Sequence, residues 1–130
     1  MTEPRARVFE YEAAFDGGVR VTAKDASVDI PEAWEPEHLV LAALVDCSLT
    51  SLRYHAKREG IEVAGGGSAS GTITKREEDG RFAFVEVEVR LDVELTPPPA
   101  DQAALLAKAE RDCFIGASLA VKPRYVWSVS

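Results

Sequence analysis

Val85-Glu86-Val87-Glu88-Val89-Arg90-Leu91-Asp92-Val93-Glu94-Leu95 alternates apolar and charged residues without an error. Successive side chains of a strand point to opposite faces, so this run predicts a long strand with one dry face and one wet face. Upstream, Ser68-Ala69-Ser70-Gly71-Thr72-Ile73-Thr74-Lys75-Arg76 reads as its hairpin partner, with Glu77-Glu78-Asp79-Gly80 as the turn and Gly65-Gly66-Gly67 as a flexible lead-in. Downstream, Pro97-Pro98-Pro99 must end the strand, because proline has no N–H to give a ladder. Asp101 then suits the cap of a helix running through Lys108 towards Cys113, with Gly116 expected to bend or end it. Arg124-Tyr125-Val126-Trp127-Ser128-Val129 alternates again and predicts a closing strand.

Towards the amino end, Val8-Phe9-Glu10-Tyr11-Glu12 and Val19-Arg20-Val21-Thr22-Ala23 flank Asp16-Gly17-Gly18, a second hairpin signal, and Val28-Asp29-Ile30 adds a short strand. Between the two strand regions lies a predicted helix over residues 36–59, opened by Pro36 at a first helical position and closed by Gly60. Residues 39–45 are apolar on all sides, which predicts that this helix forms the buried centre. The order of strands, long helix, strands, helices and strand is an α+β pattern of antiparallel sheets. With 130 residues, 46% of them apolar and 28% charged, and no linker or repeat, a single domain over 1–130 is expected.

A formal net charge of −7 argues against nucleic acid and anionic membrane as partners, since neither polyanion gains by counterion release onto this chain. The start of the chain carries no apolar signal core, and residues 39–45 are too few to span a bilayer, so a soluble cytoplasmic protein is expected. There ordinary thiols stay reduced, and a disulfide would be transient rather than structural.

Thiol chemistry is the question the chain raises. Cys47 and Cys113 are its two cysteines, each in a helical and largely apolar stretch. A peroxidatic cysteine needs a lowered pKa, access to the peroxide, and a second thiol that removes the sulfenic acid as a disulfide. Arginine is the natural activator, because a guanidinium stays protonated and forks donors towards thiolate and peroxide oxygen together. Glu37, in the first turn of the apolar helix, is a candidate to hold such an arginine, and equally a residue that simply suits a helix terminus. On one unbroken helix, Glu37 and Cys47 would lie about 15 Å apart along the axis and about 80° apart around it. Either the helix begins after Glu37, or a carboxylate comes from a second subunit, or a long arginine bridges the two. A homodimer with a shared site follows as an expectation.

His38 and His55 fall roughly 12 to 14 Å along the helix from Cys47 and make no local Cys-His pair; a surface or interfacial place is expected for both. The spacings form no zinc site, phosphate loop or serine-hydrolase elbow, so neither a metal nor a cofactor is expected. Phe9, Phe15, Trp34, Phe82, Phe84, Phe114 and Trp127 suit a core or an interface better than a substrate pocket.

The segment Glu35-Pro36-Glu37-His38-Leu39, continued by Ala42-Ala43-Leu44-Val45-Asp46-Cys47, resembles the helix bearing the first cysteine of OsmC and organic hydroperoxide resistance (Ohr) proteins. Residues 49–63 are similar to the rest of that helix and its exit. The stretch from Ala109-Glu110 to Cys113, with Ser118-Leu119 and Val126-Trp127, is similar to the second cysteine and closing strand. The resemblance implies a cysteine-based peroxidase acting on organic hydroperoxides and recycled by an external dithiol, built as an intertwined homodimer with two sites at the subunit boundary. It implies Cys47 as the peroxidatic residue, Cys113 as the resolving one, and Glu37 as the carboxylate orienting an arginine. Arg20 is taken for that arginine, with Arg5 and Arg7 as alternatives. Ohr proteins place proline after the second cysteine, whereas this chain has Phe114-Ile115, and an acidic Asp46 precedes Cys47; the likeness is therefore to the broad OsmC-like group. The alternatives are a non-catalytic OsmC-like dimer that binds a small apolar ligand between inert thiols, and a domain in which both cysteines are merely structural.

Overall fold

The alternating run forms the middle strand of a three-stranded sheet. In the computed structural model, which describes residues 6–130, β5 (Phe82–Thr96) pairs antiparallel with β4 (Glu62–Lys75) and parallel with β6 (Arg124–Val129). Its dry face is buried as the pattern requires: Val87, Val89, Leu91, Val93 and Leu95 are each at most 4% exposed, worth roughly 1.5–3 kcal/mol apiece. Val85 departs from the pattern at 37% exposed, and the cause is a β-bulge. Thr72 faces Glu86 while Ile73 faces Phe84, so Val85 is the extra residue, and the inward side chain before the bulge becomes Phe84.

Gly65-Gly66-Gly67 lies inside β4 rather than leading into it, which corrects the expected flexible segment. A Cβ on Gly65 would stand 2.2 Å from the Asp92 carbonyl oxygen, and one on Gly67 2.4 Å from that of Arg90. The glycines let β4 and β5 approach closely, and Gly65, at φ +126°, adopts a backbone conformation that side chains disfavour.

The second compact unit, Pro36–Ser130, holds this sheet and the three helices found among the described residues. The long helix α1 (Pro36–Arg58) starts at the expected proline and stops before Gly60, whose φ of +72° is the left-handed turn that ends helices. Its buried face is Leu44, Ser48, Leu49, Ser51, Leu52 and Ala56. Only Leu44 of residues 39–45 is fully buried in the single chain, and Leu39 is 36% exposed, so the dry centre of the helix lies further along than its composition suggests. Helix α2 (Gln102–Arg111) is capped by Asp101, which accepts from the Ala104 N–H at 3.0 Å, as expected. The break after it comes at Asp112 and Cys113, not at Gly116: Cys113 is the N-cap of a short helix α3 (Phe114–Ser118) that contains Gly116.

The first unit, which ends at Glu35, contains a small antiparallel sheet in the order β1 (Ala14–Phe15), β2 (Arg20–Ala23) and β3 (Ala26–Asp29). The Asp16-Gly17-Gly18 hairpin is present, with the Asp16 carboxylate accepting from the N–H groups of Gly18 and Arg20. Residues 8–12 do not form the expected strand; Val8 is 80% and Tyr11 76% exposed, and pairing starts only at Ala14. No helix among the described residues is long and apolar enough to cross a membrane.

Candidate functional site

The two cysteines, 66 positions apart in the chain, are neighbours in the fold and both are free thiols. Cys47 comes from the middle of α1, and Cys113 from the break between α2 and α3. The first turn of α3 serves both sulfurs: the Ile115 N–H points at Cys47 Sγ at 3.5 Å, and the Gly116 N–H at Cys113 Sγ at 3.4 Å. These amides are helix-start donors without intrahelical partners, which makes them suited to sulfur that carries negative charge.

The two thiols differ in access and in acidity. Cys113 is fully buried and Cys47 partly exposed, so an incoming molecule meets Cys47 first. Burial pushes the Cys47 thiol up, against the opposing Ile115 N–H, and the neighbouring Cys113 pushes it further. Burial also works against ionisation of Cys113, yet the Gly116 N–H, Ser48, Cys47 and Tyr125 outweigh it and bring that thiol below its ordinary value. Within this unit Cys113 is thus the more acidic of the pair.

Two side chains that sequence reasoning missed complete the surroundings of Cys113. Ser48, one residue after Cys47 and buried, has its Oγ 3.6 Å from Cys113 Sγ and donates its proton to the Leu44 carbonyl at 2.7 Å. Tyr125, on the inward side of β6, places a buried hydroxyl near Ser48 and Cys113 that forms no well-made hydrogen bond. The inward alternation of β6 marked Tyr125 as a core residue; nothing in the chain indicated which group it would meet.

Next to Cys113, the Asp112 carboxylate takes two 3.0 Å hydrogen bonds from Arg111 and one of 2.7 Å from His55 Nε2. Arg111 first, and His55 after it, hold Asp112 down to about 2. His55 is thus not a surface histidine: its side chain is only 12% exposed, and it ties α1 to the end of α2. His38 is exposed, as expected.

Because α1 is unbroken from Pro36 to Arg58, it does not begin after Glu37, and Glu37 and Cys47 stay on separate turns. Glu37 instead borders a cavity of about 320 Å³ with Val40, Ile73, Phe84, Leu119 and Val121. Arg20, in the first unit, bonds Asp29 through Nε at 3.2 Å. The Arg7 guanidinium lies 5.1 Å from the Phe9 ring, and Arg5 falls outside the described residues. Among the described residues, no cluster of three or more His, Cys, Asp and Glu is placed to hold a metal.

A long helix laid on a three-stranded sheet, with a thiol pair where the helix meets the α2–α3 break, defines an α+β dithiol protein. The chain belongs to the OsmC-like protein family, whose model matches residues 25–127. An OsmC-like protein from Mycoplasma pneumoniae has the same fold at a TM-score of 0.75 and 12% identity, over 93% of this chain and 97% of that one. An organic hydroperoxide resistance protein from Elizabethkingia anophelis, solved with thiocyanate bound, follows at 0.68 and 18% identity, over 97% and 100%. The organic hydroperoxide resistance protein OhrB of Bacillus subtilis superposes at 0.57 with 20% identity, over 93% and 96%. No curated protein sequence matches the chain.

Proposed function

We propose that this protein is a thiol-dependent peroxidase that reduces organic hydroperoxides, with Cys47 attacking and Cys113 resolving. The observation that carries the reading is the thiol pair itself: two cysteines far apart in the chain share one α3 turn, one of them accessible and the other buried and acidic. Cys47 thiolate attacks the terminal peroxide oxygen; an S–O bond forms, the O–O bond breaks, and the alkoxide takes a proton to leave as the alcohol. Cys113 thiolate then attacks the sulfenic sulfur, forming S–S and releasing hydroxide, which is protonated to water. An external dithiol reduces the disulfide. Membership of a family whose solved relatives include hydroperoxide resistance proteins supports the same chemistry.

The raised pKa of Cys47 makes a cation necessary, and Arg20, oriented by Glu37, is assigned that role. A homodimer in which the two come together at Cys47 accommodates the separation of Glu37 from Cys47 along α1. Exposed apolar side chains, including Phe82 at 73% and Phe114 at 51%, favour such an assembly. The largely apolar lining of the cavity beside Glu37 suits the organic part of a peroxide.

One equivalent of cumene hydroperoxide should lower the mass of the reduced protein by two hydrogens, about 2 Da, as the disulfide closes. Cys47→Ser should lose peroxide consumption in stopped-flow measurements. An unchanged mass, or Cys47→Ser consuming peroxide at the wild-type rate, refutes the proposal.

A further inference from the structure

We infer that the Tyr125 hydroxyl is the hydrogen-bond donor that stabilises Cys113 as a thiolate, in the steps where Cys113 attacks or leaves sulfur. The inference rests on the thiol chemistry proposed above, and its geometry is independent of which peroxide is reduced.

A proton count around Cys113 leads to Tyr125. Ser48 has one hydroxyl proton, divided between the Leu44 carbonyl at 2.7 Å and Cys113 Sγ at 3.6 Å, so it serves the sulfur only by turning from the shorter bond. A protonated thiol is only a weak acceptor, and beside it the Tyr125 hydroxyl is buried without a hydrogen-bond partner. A buried hydroxyl without a partner costs free energy, and native structures rarely keep one without a reason. Ionising Cys113 turns its sulfur from a weak acceptor into a strong one, beside both the Gly116 N–H at 3.4 Å and the unpartnered Tyr125 hydroxyl.

The surroundings keep the phenol in place for this role. Gly116 opens the space, since a Cβ there would stand 2.8 Å from Tyr125 Oη and 3.4 Å from Cys113 Sγ. Tyr125 stacks on Trp127 at 6.2 Å between ring centroids, and Trp127 is anchored by its Nε1 donating to Glu110 at 2.8 Å. Burial pushes the Tyr125 hydroxyl well above its usual range, so it remains protonated and can only stabilise negative charge, not accept a proton. The ionisable groups bearing on Tyr125 and Cys113 are Cys47 from α1 and Glu110 from α2, while Asp112 turns its carboxylate to Arg111 and His55.

The consequence is directional. When the external dithiol attacks the disulfide, the accessible sulfur is that of Cys47, and the leaving group is Cys113 thiolate, stabilised by Tyr125. The same stabilisation keeps Cys113 ionised to attack the sulfenic acid.

The test uses the full chain carrying Cys47→Ser, in which Cys113 is the one remaining thiol, and follows thiolate absorbance near 240 nm against pH. Adding Tyr125→Phe should raise the Cys113 pKa by about one unit or more, because a hydrogen bond to a charged group is lost. Circular dichroism checks that the variant is folded. Should it fail to fold, replacing the tyrosines of the Cys47→Ser protein by 3-fluorotyrosine, a more acidic phenol and stronger donor, should move the pKa of Cys113 down. A titration that does not move in the folded variant, or in the fluorinated protein, overturns the inference. Failure of the peroxidase reading would appear separately, as no mass change with cumene hydroperoxide in a protein whose Cys113 titration still responds to Tyr125.

Discussion

Asp112→Asn tests whether the ion pair beside the thiol site holds α1 against the α2–α3 break. In the folded protein the Asp112 carboxyl titrates at about 2 instead of 3.8, through Arg111 and then His55. A depression of that size corresponds to about 2.4 kcal/mol at neutral pH. The Asp112 side chain is 38% exposed, so solvent screening reduces the expected contribution to roughly 1 kcal/mol. The folded pKa lies below the unfolded one; the contribution is therefore complete above about pH 4 and disappears as pH falls towards 2. Urea denaturation at pH 7 should show Asp112→Asn less stable than wild type by roughly 1 kcal/mol, with the difference shrinking as pH falls through about 2. A difference that persists at low pH would mean that the asparagine acts through packing or capping, and equal stabilities at pH 7 would mean that the pair contributes nothing. Either result refutes the electrostatic account.

Gly65→Ala should destabilise the second unit by about 2 kcal/mol or more in the same denaturation assay, since the methyl would meet the Asp92 carbonyl at 2.2 Å with φ at +126°. A neutral substitution would show that β4 and β5 separate more freely than their spacing implies. Arg20→Met and Glu37→Gln should each slow Cys47 oxidation by about tenfold or more, measured by stopped flow. If Glu37 acts by holding Arg20, the double variant is no slower than Arg20→Met alone, and fully additive losses would exclude that coupling.

Local chemistry made most of the second unit legible. Alternation over β5 and β6, the proline and glycine bounding α1, and the Asp101 cap are decided within a few residues, because dihedral preferences and side-chain periodicity act at that range. The misreadings arose where a distant strand or helix decides. Gly65-Gly66-Gly67 resembles a linker until the Asp92 and Arg90 carbonyls oppose it, and the Val85 bulge depends on the register of β4. Residues 8–12 alternate like a strand, yet pairing begins only at Ala14.

By itself the sequence determined which residues carry thiols, where the long helix starts and stops, and which face of the central strand is dry. Tertiary structure decided that Cys47 and Cys113 share one turn of α3, that His55 belongs to Asp112, and that Ser48 and Tyr125 surround the buried thiol. The division has one physical cause. Periodicity and capping are properties of neighbouring residues, whereas thiol acidity depends on the donors and the burial that a closed core gathers from segments remote in the chain.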